Sequence, residues 1–538
     1  MGGINMKTIK ISLAIFAAIL LGISCSLDYL DTYPENYEDM DVIFESVDNA
    51  EMAINGMCRL LCTPYSSGGQ NGEGAILYYY GNMPGNDFQK CNRTGMKTYT
   101  NQSFHSLIDN GYVVYPWFYY YKLINNANFI LENIDGAEGA DKDKEYIKAQ
   151  ALTFRAYSYF RLTQLYCHRW ADNNGVERGV PLRLNTSCDT LACSSMKEVY
   201  NQVYSDLDTA IEYFKSCGRD REKKEYYKPN LNVAYAIYAR AALTREDWET
   251  AAKYAPLARE GYPLMSNEEY LESGFNTYNQ EWIWGWHDSL EENGTTTMTW
   301  GNYMASNSGS TNSLLYPSAI SKELYDKIPA SDVRKKCYLE PYSSELVTGY
   351  YTKTGESTGA LADRARANYG SKLFDDGTSR SAIYIYMQFK FQCSQLPGVA
   401  SMCMFRSAEM YYIEAEALCR LGNREDEVRA LLNAVVQPRD PKYTCAASGG
   451  NLLNEVKLYR RFDLWGEGLD WFDYKRWNTP IVRKSLAKGG SFHAEFAGTY
   501  PTDKYNKWTL AIPRKETDYN PAIGPADGDR DWDDGEDD

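Results

Sequence analysis

Glu467 and Asp473 lie six residues apart across a Gly466-Glu467-Gly468 break. Two carboxylates converging on a cleft are the machinery of glycoside hydrolysis, one acting as acid and the other as base or nucleophile. The same pair sits among Arg460, Arg461, Lys475 and Arg476, so the competing expectation is a partly buried ion network with a structural role. That expectation is favoured, because a catalytic acid needs a partner facing a cleft whereas an ion network needs only neighbours of opposite sign. Other reactive types give weaker patterns. The four His residues, at 105, 168, 287 and 493, share no helical spacing, and there is no Cys-x-x-Cys, which argues against zinc or a His-based site. Of 13 Cys, Cys58 and Cys62 share a helix face at i, i+4; buried free thiols are expected, and disulfide pairing is not assignable. In the acidic ending, Asp527, Asp529, Asp531 and Asp538 take the first, third, fifth and twelfth positions of a calcium loop, but the required glycine is Trp532, so a solvated acidic tail over 526–538 is expected. No catalytic set, metal or cofactor is predicted.

A chain of 538 residues with 44% hydrophobic content has ample material for a large core. The formal charge is -16, and it becomes -18 once a leader carrying Lys7 and Lys10 is removed; this argues against a nucleic-acid partner. The leader, residues 1–24, has an apolar run from Ile11 to Ile23, too short to span a bilayer, ending at Ser24-Cys25. Cys25 is therefore the candidate lipidated residue, although Gly22 replaces the leucine usual three positions before it, and Met6 is a second candidate start. Two or three acyl chains on Cys25 would anchor the protein stably. Residues 25–45 read as anchor and acidic tether.

The elements that must position any site are helical. Ser46 to Cys62 places Val47, Ala50, Ile54, Met57 and Leu61 on one face. Trp117 to Ile134 and Asp143 to Cys167 make two longer helices, and Ser195-Met196-Lys197-Glu198 is a capping box opening a fourth, with Val199, Val203, Leu207, Ala210 and Phe214 inward. Val456, Tyr459, Phe462 and Trp465 line the core side of a helix before the Gly466–Gly468 break, turning Arg460, Arg461 and Asp463 elsewhere, and Trp471 restarts one after it. At an offset of 176 residues, Tyr235-x-Ile237-x-Ala239-x-Ala241 repeats as Tyr411-x-Ile413-x-Ala415-x-Ala417. Each copy is a helix, a turn and a second helix, similar to the tetratricopeptide unit, which stacks because no single pair buries its own apolar face.

Arg460-Arg461-x-Asp463-Leu464-x-Gly466-Glu467-Gly468, followed by Trp471-x-Asp473-x-x-Arg476-Trp477, resembles the C-terminal signature of the SusD/RagB family, outer-membrane nutrient-binding lipoproteins of Bacteroidota. Trp117-x-x-Tyr120-Tyr121-x-x-Ile124-x-x-Ala127-Asn128-x-Ile130-Leu131 and Ala151-x-x-Phe154-Arg155-Ala156-Tyr157-x-Tyr159-Phe160 look like its second and third helices. Phe405-Arg406-x-Ala408-Glu409-Met410-Tyr411 looks like its late repeat helix, and Leu510 to Pro513 with Glu516, Asn520 and Pro521 like its closing segment. The resemblance runs from residue 25 to about 521. It implies a mainly α, SusD-like fold of stacked tetratricopeptide-type pairs with a loop-rich ligand-binding region and a few short strands, spanning 46–525 as a single domain. It also implies a surface-exposed, lipid-anchored protein of the outer membrane, partnered by a TonB-dependent SusC-like transporter and acting as its lid.

Two loop-rich stretches, about 63–115 and 265–400, are where a ligand is expected. The first offers Asn82, Asn86, Asp87 and Tyr112. Within the second, the run from Trp282 to Tyr316 begins with Trp282-x-Trp284-x-Trp286, whose period of two predicts a strand with three Trp on one face, and continues into a polar, Gly-rich part bearing Trp300, Asn302 and Tyr303. Asn86, Asp87, Tyr112, Trp286, Trp300, Asn302 and Tyr303 are the ligand-binding candidates, the aromatic rings serving as stacking platforms for a sugar. Ser381 to Cys393 alternates as a scaffold strand packing on the Trp282 to Tyr316 run. An oligosaccharide is the expected ligand and a peptide the alternative; a surface glycosidase using Glu467 and Asp473 and a plain protein-binding repeat scaffold are the competitors from other classes.

Overall fold

The computed structural model describes residues 40–63, 72–90, 97–103, 105–293, 299–341, 349–351, 360–374 and 381–524. The leader, Cys25, most of the tether and the acidic tail with its calcium-loop pattern lie outside these residues.

Helix α1 (Val47–Leu60) starts where the Ser46 hydroxyl accepts a hydrogen bond from the Asn49 N–H at 3.2 Å, and it buries Ala50, Ile54 and Met57. Helix α2 (Gly111–Asn133) begins earlier than the sequence predicts, because Asn110 caps it and Pro116 lies inside it. Proline at that place leaves the Tyr112 carbonyl without its helical donor; the Tyr80 hydroxyl donates to it instead. Helix α3 (Asp141–Tyr166) is buried on all sides from Ala149 onward, as a helix enclosed by others must be. Its Arg155 donates to both Asp206 oxygens at 2.8 and 2.6 Å and to the Asn128 side chain at 2.8 Å, tying α2 and α3 to α4 (Met196–Cys217). The Ser195–Glu198 capping box of α4 forms in both directions, and its predicted face is buried.

The internal repeat becomes two helix pairs, α5 (Leu231–Thr244) with α6 (Trp248–Arg259), and α7 (Ser407–Leu421) with α8 (Glu425–Val436). Ala239, Ala241, Ala415 and Ala417 are buried, so small side chains sit where helices approach closely. Helix α4 packs on α5 and α6 on α7, so the stack is continuous from α2 to α8. Arg240 on α5 holds Glu409 on α7 through two bonds of 2.7 and 2.6 Å.

The described strands pair two by two, all antiparallel: β1 (Phe88–Lys90) with β3 (Ser318–Ile320), β2 (Trp282–Trp286) with β6 (Met402–Arg406), β4 (Gly349–Tyr351) with β5 (Ser381–Ile383), and β7 (Ile481–Arg483) with β8 (Gly498–Tyr500). Phe88 faces Ile320 across the first ladder, which joins the two loop-rich stretches. The strand expected over Ser381 to Cys393 ends at Ile383. Tyr386 takes a left-handed φ of 63°, which breaks a ladder, and the alternation beyond it comes from an extended segment making single bridges from Met387 to Ala319 and from Gln388 to Tyr338.

Candidate functional site

Helix α9 (Gly450–Asp463) and helix α10 (Asp470–Arg476) flank the signature break, where Gly466 and Gly468 take φ of 79° and 78°. Arg460 and Asp463 are buried rather than turned away from the core. Glu467 finds its partners far along the chain instead of among its neighbours: Lys390 at 2.7 Å and Arg406 at 2.9 Å, with Arg406 also bonded to Glu281 and Asp463 at 2.7 Å. Burial pushes the Glu467 carboxyl up, but Arg406 and Lys390 outweigh it and hold it below the usual carboxylate range. Asp473 is bonded separately to Arg460 at 2.6 Å and Arg476 at 2.9 Å. A general acid needs a raised pKa and a proton to give; Glu467 is an ionised, fully partnered acceptor. Among the described residues no group of three or more His, Cys, Asp or Glu is arranged to hold a metal.

Several candidates from the first loop-rich stretch serve this break. The Asn82 side chain donates to the Gly466 carbonyl at 2.8 Å and accepts from the Gly468 N–H at 2.9 Å. Asp87 takes two bonds from Arg461, at 2.7 and 2.8 Å, and its carbonyl accepts from the Trp465 indole at 2.8 Å. Asp87 is 2% exposed, so as a ligand contact it is corrected: its charge is consumed internally. Asn86 is half-buried, and its side-chain oxygen accepts from the Val482 N–H at 2.9 Å.

Ile76–Asn82 is a π-helical turn, with the Met83 N–H reaching back five residues to the Tyr78 carbonyl at 3.0 Å; such turns recur at functional sites. It presents three successive tyrosines to an array built from both loop stretches. Tyr78 stacks on Tyr303 at 4.7 Å, Tyr79 packs edge-on to Tyr303 at 5.3 Å and stacks on Tyr99 at 4.3 Å, and Tyr99 meets Tyr112 at 3.9 Å. The structure thus brings Tyr112 and Tyr303 into one array, with Tyr112 its half-buried end.

Trp286, Trp300 and Tyr303 are 2%, 3% and 3% exposed and Asn302 is fully buried, so these four are corrected from ligand-facing to interior positions. Trp300 packs on Trp286 at 6.2 Å and Phe391 at 5.0 Å, and the Asn302 side chain accepts from the Ser308 hydroxyl at 3.1 Å. The run is polar and Gly-rich for a different reason than exposure. A Cβ on Gly301 would lie 2.1 Å from the Gly398 carbonyl and one on Gly309 2.8 Å from the Phe374 ring, so close packing calls for these glycines, and the Ser306 and Ser308 hydroxyls donate to the Lys372 and Pro397 carbonyls. Irregular register between Trp282 and Gly285 also gives the three strand tryptophans different partners: Tyr226 for Trp282, Phe154 and Tyr157 for Trp284, and Trp300 for Trp286.

The sequence reading missed a second aromatic group. Tyr226, Trp282 and Cys403 form a small cluster apart from the main core, with half-buried Tyr227 and Tyr278 packed against it. The Tyr226-Tyr227 doublet just ahead of the first repeat was the available signal.

A family model described as starch-binding and associating with the outer membrane matches residues 28–243, and the model of the SusD family matches residues 364–527. A SusD-like protein of Formosa agariphila is 22% identical over 499 residues, covering 88% of this chain and 93% of that protein. Among solved structures, a SusD-like carbohydrate binding protein from Bacteroides vulgatus superposes with a TM-score of 0.73 at 23% identity, covering 89% of this chain and 98% of that one. A SusD superfamily protein from Bacteroides thetaiotaomicron gives 0.70 at 23% identity, with 89% and 99% covered. Matches at both ends of the chain, a relative along nearly its whole length and a shared fold agree with the signature at Arg460–Trp477: the chain belongs to the SusD/RagB family.

Proposed function

We propose that this protein is a non-catalytic binding lipoprotein, anchored through Cys25 to the outer face of the outer membrane, that captures an oligosaccharide and passes it to a TonB-dependent transporter over which it closes as a lid. The observation that carries the capture role is the tyrosine array. Two loop-rich stretches, joined to each other by the β1–β3 ladder and the first of them held to helix α9 by the Arg461–Asp87 pair, converge on stacked rings that end at half-buried Tyr112. Aromatic rings held in place offer a sugar flat apolar faces at little entropic cost. The family description as starch-binding and outer-membrane-associated, and the carbohydrate-binding name of the Bacteroides vulgatus relative, support the ligand class and the location. Ion-paired, inward-facing Glu467 and Asp473 favour binding over hydrolysis. No helix among the described residues is long and apolar enough to cross a membrane.

Calorimetry of residues 26–538 against neutral oligosaccharides and peptides tests this, with Tyr112→Ala alongside. A glycan is expected to bind and the substitution to weaken it by about 1–3 kcal/mol. Binding of peptides alone would overturn the ligand class. Hydrolysis of a bound glycan that a folded Glu467→Gln variant loses would overturn the non-catalytic role, and affinity capture from membranes that never brings down a transporter barrel would overturn the lid role.

A further inference from the structure

The small aromatic cluster at Tyr226 stands apart from the main core, and its construction is that of a platform. Tyr226 lies face to face with Tyr278, 4.7 Å apart and 9° from parallel, with its edge against Trp282 at 5.3 Å. Its hydroxyl sits 3.0 Å from Nδ1 of His287 and 3.3 Å from the Ser401 hydroxyl. Tyr227, the next residue, lies 6.1 Å from the His287 ring. Tyr227 and Tyr278 are half-buried and His287 is exposed. The turn that carries the two tyrosines is clamped to β2: the Arg221 guanidinium donates to the Tyr226 carbonyl at 3.1 Å and to the Ile283 carbonyl at 2.5 Å, and the Trp284 indole donates to the Tyr227 carbonyl at 2.9 Å. The turn and the segment around β2 therefore hold half-buried Tyr227 beside the imidazole and half-buried Tyr278 against the face of Tyr226. One nitrogen of that imidazole is engaged by Tyr226, and the other has no partner among the described residues.

Such a corner matches a pyranose. The C–H face of the sugar stacks on a tyrosine ring, and an adjacent hydroxyl bonds to the outer imidazole nitrogen. Neither interaction requires a charge on the ligand, and fixed rings lose little freedom on binding. We propose that the Tyr227–Tyr278–His287 corner is a second sugar-contacting platform, separate from the tyrosine array that ends at Tyr112, and that it takes a neutral glycosyl unit of the captured chain. This rests on the oligosaccharide reading above.

The test is calorimetry of residues 26–538 with maltoheptaose, laminarihexaose, mannohexaose and xylohexaose, comparing wild type with Tyr227→Ala, Tyr278→Ala, Tyr227→Phe and His287→Ala. If the platform is used, at least one glycan binds, each alanine substitution weakens it about fivefold or more, and Tyr227→Phe retains most of the affinity because the stacking face is kept. Should an alanine variant misfold, acetylation of tyrosines on the wild-type protein, read by peptide mass, replaces it: Tyr227 and Tyr278 react in the free protein and are protected by saturating glycan. A glycan that binds unchanged to the folded variants, or gives no protection, overturns the platform and leaves the family role of capture standing. If none of these glycans binds the wild type, the platform for neutral sugars falls together with the oligosaccharide reading.

Discussion

The Asn82 side chain closes the Gly466–Gly468 break from outside it, donating to the Gly466 carbonyl at 2.8 Å and accepting from the Gly468 N–H at 2.9 Å. One amide, nearly four hundred residues away in sequence, satisfies two buried backbone groups that no helix can pair. Replacing it with alanine leaves both unpaired. Asn82→Ala is expected to cost about 2–4 kcal/mol, measurable as a lowered urea midpoint, and a midpoint unchanged from wild type would show that the bridge contributes nothing.

The two glycines of the break are expected to tolerate no side chain. A Cβ on Gly468 would meet Leu77 at 2.6 Å and one on Gly466 would meet Phe391 at 2.5 Å, both at positive φ. Gly468→Ala and Gly466→Ala combine backbone strain with a clash and should each destabilise by more than about 2 kcal/mol. Gly450, with open space around it and ordinary φ, is the control: Gly450→Ala should leave thermal stability near that of wild type.

Stability should fall in acid for a reason visible in the ion network. Burial alone would raise the Glu416 carboxyl, but Arg476 overrides it and brings it from 4.5 to about 2; burial likewise opposes, and Arg406 overrides, at Asp463 and Glu467. Depressed carboxyls stabilise the fold above their unfolded values and lose that contribution as pH drops through the folded ones. For Glu416 the full effect is ~3 kcal/mol at ~1.4 kcal/mol per pH unit. Urea midpoints should therefore decline from about pH 5 to pH 2, and Arg476→Met should flatten part of that decline.

Arg406 answers to three carboxylates at once, Glu281, Asp463 and Glu467. Arg406→Met leaves buried negative charge uncompensated and is expected to cost about 3–5 kcal/mol or more, read as low soluble yield or a strongly depressed melting temperature. Lys390→Met removes the ion-pair partner of one carboxylate, Glu467, together with bonds to the Asp463 and Trp465 carbonyls, and should be the milder change because Arg406 still pairs with Glu467.

Trp300→Ala and Tyr303→Ala should act on folding rather than directly on ligand. Each removes a buried ring from packed neighbours, a loss of about 3–5 kcal/mol. Tyr112→Ala, at the half-buried end of the array, should unfold near the wild-type temperature. Melting curves of the three variants separate the roles, and an unaltered melting temperature for Trp300→Ala would show that its burial is not structural.

Much of the frame was legible in residue order because its causes are local. Periodic apolar residues named the inner face of α4, Ser195 and Glu198 named its cap, and the offset of 176 residues named the two stacked pairs. Positive φ at Gly466 and Gly468 was readable too, since glycine adopts it without the penalty a side chain imposes. The partner of Glu467 was not readable. Sequence neighbours Arg460 and Arg461 were the visible cations, yet the bonds go to Lys390 and Arg406, because α9 and the break lie against segments that only folding brings near.

The site shows the same division. Residue types alone placed a ligand-facing role on Trp300, Asn302 and Tyr303, since polar and Gly-rich surroundings usually mean exposure; the tertiary structure buried all three, because the glycines there admit close backbone contact. Tyr226 meets Tyr278, and Tyr227 meets His287, across a long separation in sequence, where Arg221 clamps their turn to β2. Sequence by itself determined helix positions, caps, the repeat and the family signature, all set by interactions within a few residues or by a linear pattern. Which aromatic rings reach solvent, and which charges are consumed inside, depended on contacts between segments hundreds of residues apart, and only the packed structure decided them.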